Sequence, residues 1–214
     1  MGTLQNRLKF GCILLAAGTG SRMKSVDKLL LETNNISLIE QNYRLYKELN
    51  LEPIVVTGFC KDRITSALDK YDPVFVHNAN FLEGQQTSVM AGLAALKDDY
   101  DAVIIALADM PLLTPNDISK LKAAYAMKPS LCSAVIPYDG YRRGNPVVID
   151  AGLIPCILKE GAGVRSYLDR NPDQILWHMT NSPGYYIDVD TVDDLNSLQV
   201  TYGLHIKPRT YGQS

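Results

Sequence analysis

Short apolar runs alternate with longer amphipathic stretches along this chain, and each run ends in residues that turn the backbone. Phe10 to Leu15 is an apolar run closed by Gly18, which reads as a buried strand entering a loop. Leu29-Leu30-Leu31 forms a shorter apolar segment. Ser37-Leu38-Ile39-Glu40 has the spacing of a capping box and predicts a helix to about Leu49, with Leu38, Ile39, Tyr43, Leu45, Tyr46 and Leu49 on its apolar face. Pro53 to Gly58 predicts a second strand, Lys61 to Lys70 a helix, Pro73 to His77 a third strand, and Thr87 to Leu96 another helix. Ala102 to Ala108 is the most continuous apolar run and predicts a central strand covered on both faces. Thr114-Pro115-Asn116-Asp117 is a helix start, with a capping hydroxyl, proline in the first turn and an acid at the positive end of the dipole.

The second half is less regular. Leu131 to Pro137 and Pro146 to Ile149 predict strands on either side of a turn-rich stretch, Tyr138 to Gly144. A helix follows over Ala162 to Asn171, then a final strand over Tyr185 to Val189, and Thr191-Val192-Asp193-Asp194 opens a last helix to about Tyr202. Residues 1–206 read as one domain, and the polar stretch from Lys207 to Ser214 as a loose tail. The alternation predicts an α/β fold, a three-layer α/β/α sandwich on a Rossmann-like, mostly parallel sheet. Ligands in such sheets sit beyond the carboxyl ends of the strands.

The first strand delivers Gly18-Thr19-Gly20-Ser21 to that edge. Glycines let backbone approach a ligand closely, and successive N–H groups in such a turn make a concave anion site. Arg22 and Lys28 add two cations within a few residues. The combination suits a polyphosphate, and equally describes a plain glycine-rich connection with two solvated cations. No Gly-Lys pair occurs, which excludes a Walker loop, and Met23 stands where a dinucleotide fingerprint needs its third glycine.

Three more groups map to the same edge. Asp109 ends the central strand just before Met110-Pro111, and a carboxylate held there suits Mg²⁺, although it also suits a backbone cap. Asp188 and Asp190 lie two residues apart and so share a side, with Val189 opposite. Asp190 near Asp109 would let the two share one ion; alternatively Asp190 and Thr191 simply begin the last helix. Gly84-Gln85-Gln86-Thr87-Ser88 precedes a helix and offers amides and hydroxyls to a nucleobase or phosphate, or an ordinary cap.

Composition narrows the partners. The 214 residues are 46% hydrophobic and 21% charged, enough for one sizeable core. A net charge of −2 argues against a nucleic-acid coat and a polybasic membrane anchor. No apolar run has the length of a membrane span, and Met1 to Lys9 lacks the apolar region of a signal peptide. Cys12, Cys60, Cys132 and Cys156 lie far apart, and Cys12 and Cys132 fall in apolar runs, so free thiols are expected. The expected compartment is the cytoplasm.

Together, Leu15-Ala16-Ala17-Gly18, Arg22-Met23, Lys28-Leu29-Leu30, Gly84 with Ser88-Val89-Met90-Ala91-Gly92, Leu107-Ala108-Asp109-Met110-Pro111, Arg143-Gly144-Asn145-Pro146 and the late Asp188-Val189-Asp190-Thr191 resemble the nucleotidyltransferases of the molybdenum cofactor type. Within these MobA-like NTP transferases, the chain is most similar to the molybdenum cofactor cytidylyltransferases and their molybdenum-hydroxylase accessory relatives. The resemblance spans about residues 10 to 200. Two departures stand out. Lys24 replaces the usual glycine after Arg-Met, and Asn145 replaces the histidine of the Arg-Gly-His-Pro segment.

The resemblance implies the nucleotide-diphospho-sugar transferase type of sandwich, with residues 1–206 as a single nucleotidyltransferase domain. It implies that a phosphate of molybdopterin attacks the α-phosphorus of CTP and pyrophosphate leaves. Arg22, Lys28 and Asp109 would be catalytic, with Leu15, Ala16, Ala17, Gly18, Thr19, Gly20, Gly84 and Ser88 also binding nucleotide. Asp109 and Asp190 would hold Mg²⁺, and Arg143, Gly144 and Asn145 would meet the acceptor. Alanine at position 17, where guanylyltransferases of this fold carry glycine, favours CTP over GTP. A molybdenum hydroxylase would receive the product. Two other readings stay open: a sugar- or alditol-phosphate nucleotidyltransferase, and a non-catalytic accessory protein that hands over the cofactor.

Overall fold

The computed structural model describes residues 8–19, 27–97 and 99–207. Strand β1 (Phe10–Ala16) lies between β4 (Pro53–Thr57) and β6 (Ala102–Leu107), parallel to both. Beyond β4 comes β5 (Val74–His77), also parallel. On the other side, β8 (Val147–Asp150) runs antiparallel to β6 and to β7 (Ala134–Tyr138), and β7 pairs in parallel with β9 (Ile175–Met179). The order β5-β4-β1-β6-β8-β7-β9 gives a mostly parallel sheet with one reversed strand. The chain builds outward from β1 in one direction and then crosses to β6, so the crevice between β1 and β6 is the switch point where such sheets bind ligands.

Period-two alternation divides the core. Cys12, Leu14, Ala16, Ile104 and Ala106 face a layer containing α1 (Leu38–Glu48), α2 (Lys61–Leu68) and α4 (Pro115–Ala126), through Tyr43, Leu68 and Leu121. Ile13, Leu15, Val103 and Ile105 face α3 (Gln85–Ala95), α5 (Ile154–Glu160) and α6 (Gly163–Arg170), through Leu93, Ile157 and Leu168. The expected three-layer sandwich is what forms. A satellite cluster of Leu31, Leu38, Val189 and Leu198 seats α7 (Val192–Tyr202) beside it.

Local chemistry explains several boundaries. Thr114 and Asp117 close a full capping box on α4, as do Thr191 and Asp194 on α7. At α1 only half the box forms. Ser37 Oγ accepts from Glu40 N, but the Glu40 carboxylate turns away to Tyr71 and Lys70. The apolar segment at Leu29 is a 3-10 turn, Lys28–Leu30, and a small hairpin of β2 (Glu32–Thr33) and β3 (Ile36–Ser37) follows it. Asn34 and Asn35 make its turn with φ of 52° and 62°, the left-handed pair that a tight hairpin requires.

Several expectations need correction. Tyr185 to Val189 is not a strand: Pro183–Tyr185 forms a 3-10 turn, and the backbone beyond makes single bonds to separate segments instead of a ladder. The last strand is β9, whose Ile-Leu-Trp-His-Met run lacks clean alternation because it lies at the sheet edge. Helix α5 was not expected, and α3 begins at Gln85, two residues before the predicted Thr87. No cysteine is disulfide-bonded among the described residues, and Cys12 and Cys132 are buried. Lys207 pairs with Glu32 through both backbone groups, while 208–214 of the predicted tail lie outside the described residues.

Gly92 on α3 is pressed against the sheet, where a Cβ would come within 2.5 Å of Ile13 Cγ2 and 3.0 Å of Val56 Cγ2. Both methyls branch from Cβ and cannot swing aside, so Gly92→Ala is expected to cost about 1–3 kcal/mol by overpacking. Urea unfolding with an unchanged m-value checks this.

Candidate active site

The carboxyl ends of β1 and β6 lie side by side. Leu15 pairs with Leu107, and Ala108 N donates to Leu15 O at 3.1 Å, so Asp109 emerges beside the loop that begins at Ala17. Val189 N donates to Asp109 O at 3.0 Å and joins the segment after β9 to the same point. Val189 is fully buried, and its neighbours Asp188 and Asp190 turn together toward Asp109. One oxygen from each of Asp109, Asp188 and Asp190 lies within 4.8 Å of the others. The same-side arrangement expected from spacing therefore holds without a strand. The capping box of α7 contributes too, because Asp190 N donates to Asp194 Oδ2 at 2.9 Å.

Lys28 compensates this negative charge. Its Nζ donates to Asp109 Oδ2 at 2.5 Å and to Asp190 Oδ1 at 2.7 Å. Burial alone would lower the ammonium pKa, but the attraction and hydrogen bonds of the two carboxylates outweigh it, and the pKa is raised. Asp188 titrates above the usual carboxylate range, through burial first and then the like charges of Asp109 and Asp190. The preceding residue, Asp27, is anchored by Arg63 and by Cys60, whose Sγ donates to Asp27 Oδ1 at 2.7 Å. Burial and that contact push the Cys60 thiol up to about 12, so it stays protonated and is not a nucleophile.

These groups line a cavity of about 330 Å³. Leu15, Ala16, Ala17, Gly18 and Thr19 form one wall, Lys28, Asp109, Asp188 and Asp190 another, and Phe81, Gln85 and Ser88 a third. Gly20 and Arg22 lie outside the described residues. Gly84 is not in the lining: with φ of 115° it turns the chain into α3 and presents Gln85 instead. Ser88 is buried, and its Oγ accepts from Asn78 Nδ2 at 2.9 Å. Gly58 packs against two of the lining residues, where a Cβ would sit 2.6 Å from Ala17 O and 2.8 Å from Phe81 Cβ.

A second cavity, of about 620 Å³, shares Leu15, Gln85 and Leu107 with the first. Arg143, Gly144 and Asn145 line it above an aliphatic floor that includes Ile105 and Leu168. Arg143 pairs with Asp169 and lies over the Trp177 ring at 5.1 Å; Arg142 pairs with Asp139 and lies over Tyr186 at 4.9 Å. Arg165 and Tyr141 also line this space. Neither is visible from motif spacing, because both reach the cavity through packing of α6 and the β7–β8 turn.

The donor set fits a divalent cation. Three carboxylates supply hard oxygens, and Asp109 Oδ1 is buried with no hydrogen-bond partner among the described residues. Two adjoining cavities open beside this cluster.

Fold and site together define a nucleotidyltransferase. The chain matches the MobA-like NTP transferase domain over residues 12–175 and belongs to that family. It is 28% identical over 193 residues to nicotine blue oxidoreductase of Paenarthrobacter nicotinovorans, covering 87% of this chain and 94% of that protein. It spans less than half the length of the bifunctional GlmU proteins it also matches. Among solved structures, a nucleotidyl transferase from Methanothermobacter thermautotrophicus superposes with a TM-score of 0.76 at 22% identity, over 91% of this chain and 97% of that one. The 4-diphosphocytidyl-2C-methyl-D-erythritol synthase of Anaerococcus prevotii gives 0.73 at 17%, over 92% and 96%. At these identities the two structures speak for the fold. Among the described residues, no helix is long and apolar enough to cross a membrane.

Lys28→Met leaves the clustered carboxylates without their cation and is expected to lower the melting temperature of the metal-free protein. Mn²⁺ should then raise the melting temperature of the variant by more than that of the wild type, because the ion takes over the compensation. Thermal scans with and without Mn²⁺ check this.

Proposed function

We propose that the protein is a cytoplasmic, Mg²⁺-dependent cytidylyltransferase that moves CMP from CTP to the phosphate of molybdopterin, for delivery to a molybdenum hydroxylase. One observation carries this reading: Asp109, Asp188, Asp190 and Lys28 converge on the cavity walled by Leu15 to Thr19. Residues 1–206 would act as one nucleotidyltransferase domain.

The backbone from Ala16 to Thr19 receives the triphosphate, and Lys28, with Arg22, offsets charge on the β- and γ-phosphates as pyrophosphate leaves. Asp109 and Asp190, with Asp188 beside them, would hold the divalent ion, which supplies charge neutralisation across the triphosphate and acceptor phosphate. A phosphate nucleophile arrives ionised, so no general base is required of the chain. Arg143, Gly144 and Asn145 border the acceptor side, and the shared wall of Leu15, Gln85 and Leu107 brings the two substrates together. The Ala17 methyl, which packs against Gly58, would narrow the base slot in favour of a pyrimidine. The Anaerococcus structure is that of a diphosphocytidyl synthase, in keeping with CTP use on this fold.

A second reading comes from the relative named an oxidoreductase, which matches nearly its full length. The carboxylate cluster with its lysine favours nucleotidyl transfer, since a hydride or electron carrier has no need of three acids on a phosphate cradle.

The test is pyrophosphate release with Mg²⁺, molybdopterin and each NTP in turn. Release with CTP well above GTP supports the proposal, and no release with any nucleotide overturns it. Equal rates with CTP and GTP remove the base assignment, and turnover of a sugar or alditol phosphate in place of molybdopterin reassigns the acceptor. In the active case, Asp109→Ala is expected to lose about 3 kcal/mol of transition-state stabilisation, or about a hundredfold in rate. Ala17→Gly should raise kcat/KM for GTP relative to CTP.

A further inference from the structure

Two adjacent amides on α1, Gln41 and Asn42, reach the strand end that carries Asp109. Asn42 Nδ2 donates to Ala108 O at 3.1 Å and to Leu38 O at 3.1 Å, and Gln41 Nε2 donates to Pro111 O at 2.8 Å. Both amides are oriented without ambiguity, since a carbonyl can be met only by the NH₂ end. Their opposite ends are costly. Asn42 is 1% exposed, and both Asn42 Oδ1 and Gln41 Oε1 are buried without a partner among the described residues.

A buried, half-satisfied amide destabilises a core in which an apolar side chain would pack at no such penalty. Here two stand side by side. Their N–H groups bracket one tetrapeptide, Ala108-Asp109-Met110-Pro111, at its first and last carbonyls. The other backbone bonds of that tetrapeptide come from elsewhere: Ala108 N donates to Leu15 O, Val189 N to Asp109 O and Leu113 N to Met110 O. The tetrapeptide has left the β6 ladder, and Lys28 Nζ meets only Oδ2 of Asp109, so the α1 amides supply the contacts to its first and last carbonyls that fix the backbone from which the Asp109 side chain leaves.

We propose that Gln41 and Asn42 are positioning residues: an amide clamp that holds the Asp109 carboxylate, including its unpartnered Oδ1, in place for a divalent cation. The inference rests on Asp109 being a metal ligand, as in the proposed function, but not on the identity of nucleotide or acceptor. Partners that orient metal ligands typically change affinity by about 10–100-fold when removed.

The experiment uses the full chain and Mn²⁺ alone, with free ion read from its EPR signal, alongside thermal melting. Asn42→Leu removes the clamp at Ala108 while keeping a similar branched outline. Gln41→Met, at a half-exposed site, serves if Asn42→Leu fails to fold. The expected result is a Kd for Mn²⁺ raised about tenfold in either folded variant, with a melting temperature equal to or above that of the wild type. Mn²⁺ affinity unchanged in a folded variant overturns the clamp and leaves the metal site standing. A loss of affinity matched by a fall in melting temperature also overturns it, since the amides would then be structural. Failure of the wild type to bind Mn²⁺ removes the metal reading and the clamp with it, whereas Mn²⁺ binding without pyrophosphate release removes the transferase reading alone.

Discussion

The pairing of β1 with β6 at the switch point of the sheet is the constraint on which the rest of the molecule depends. Two parallel strands buried on both faces can shift register only at the expense of the whole core, because each side chain would move to the opposite layer. Their pairing continues past the last ladder residues through Ala108 N to Leu15 O, and then through Val189 N to Asp109 O. A loop rich in small residues, a strand-end acid and an acid pair from far along the chain are thereby brought to one place. Their distances are set by backbone hydrogen bonds, not by flexible side chains.

Gathering three carboxylates in a partly buried crevice carries an electrostatic penalty, visible in the raised pKa of Asp188. Lys28 offsets it, and the raised pKa of its own ammonium is the reciprocal expression of the same contacts. The site is thus a compensated charge cluster, not a row of independent surface acids. That character suits a substrate whose own charge must be neutralised as it reacts, and it explains why the short turn Lys28–Leu30 is packed into the core through Leu29 and Leu30.

The second cavity is built differently. Its floor is the aliphatic face shared with α3 and α6, and its arginines are held by Asp139 and Asp169 and by aromatic rings. Charge in that cavity is oriented by stacking and ion pairs, whereas in the first the carboxylates are placed by backbone hydrogen bonds and paired with Lys28. The shared wall of Leu15, Gln85 and Leu107 joins two spaces with separate chemical requirements.

Much of this was legible in the order of residues alone. Apolar runs with glycine or proline after them marked β1, β4 and β6, and the boxes at Thr114 and Thr191 marked the starts of α4 and α7, because those signals act within a few residues of chain. The small-residue loop, Lys28, Asp109 and Asp190 were candidates from spacing, and Asp188 shared their side by periodicity. Tyr185 to Val189 had strand composition but no neighbouring strand to complete a ladder, and β9 had a neighbour but no clear pattern, since an edge position relaxes the demand for alternation. Ser37 and Glu40 had the right spacing, yet Tyr71 and Lys70 captured the glutamate. Sequence by itself determined which segments bury apolar surface and which residues can bear charge or hold phosphate, because both are properties of side chains and their immediate neighbours. Only the tertiary structure decided that Asp109 and Asp190 meet Lys28, that Gln41 and Asn42 bracket the strand end, and that Arg165 and Tyr141 face the second cavity. Those meetings join residues distant along the chain, and it is the sheet register and helix packing that set them.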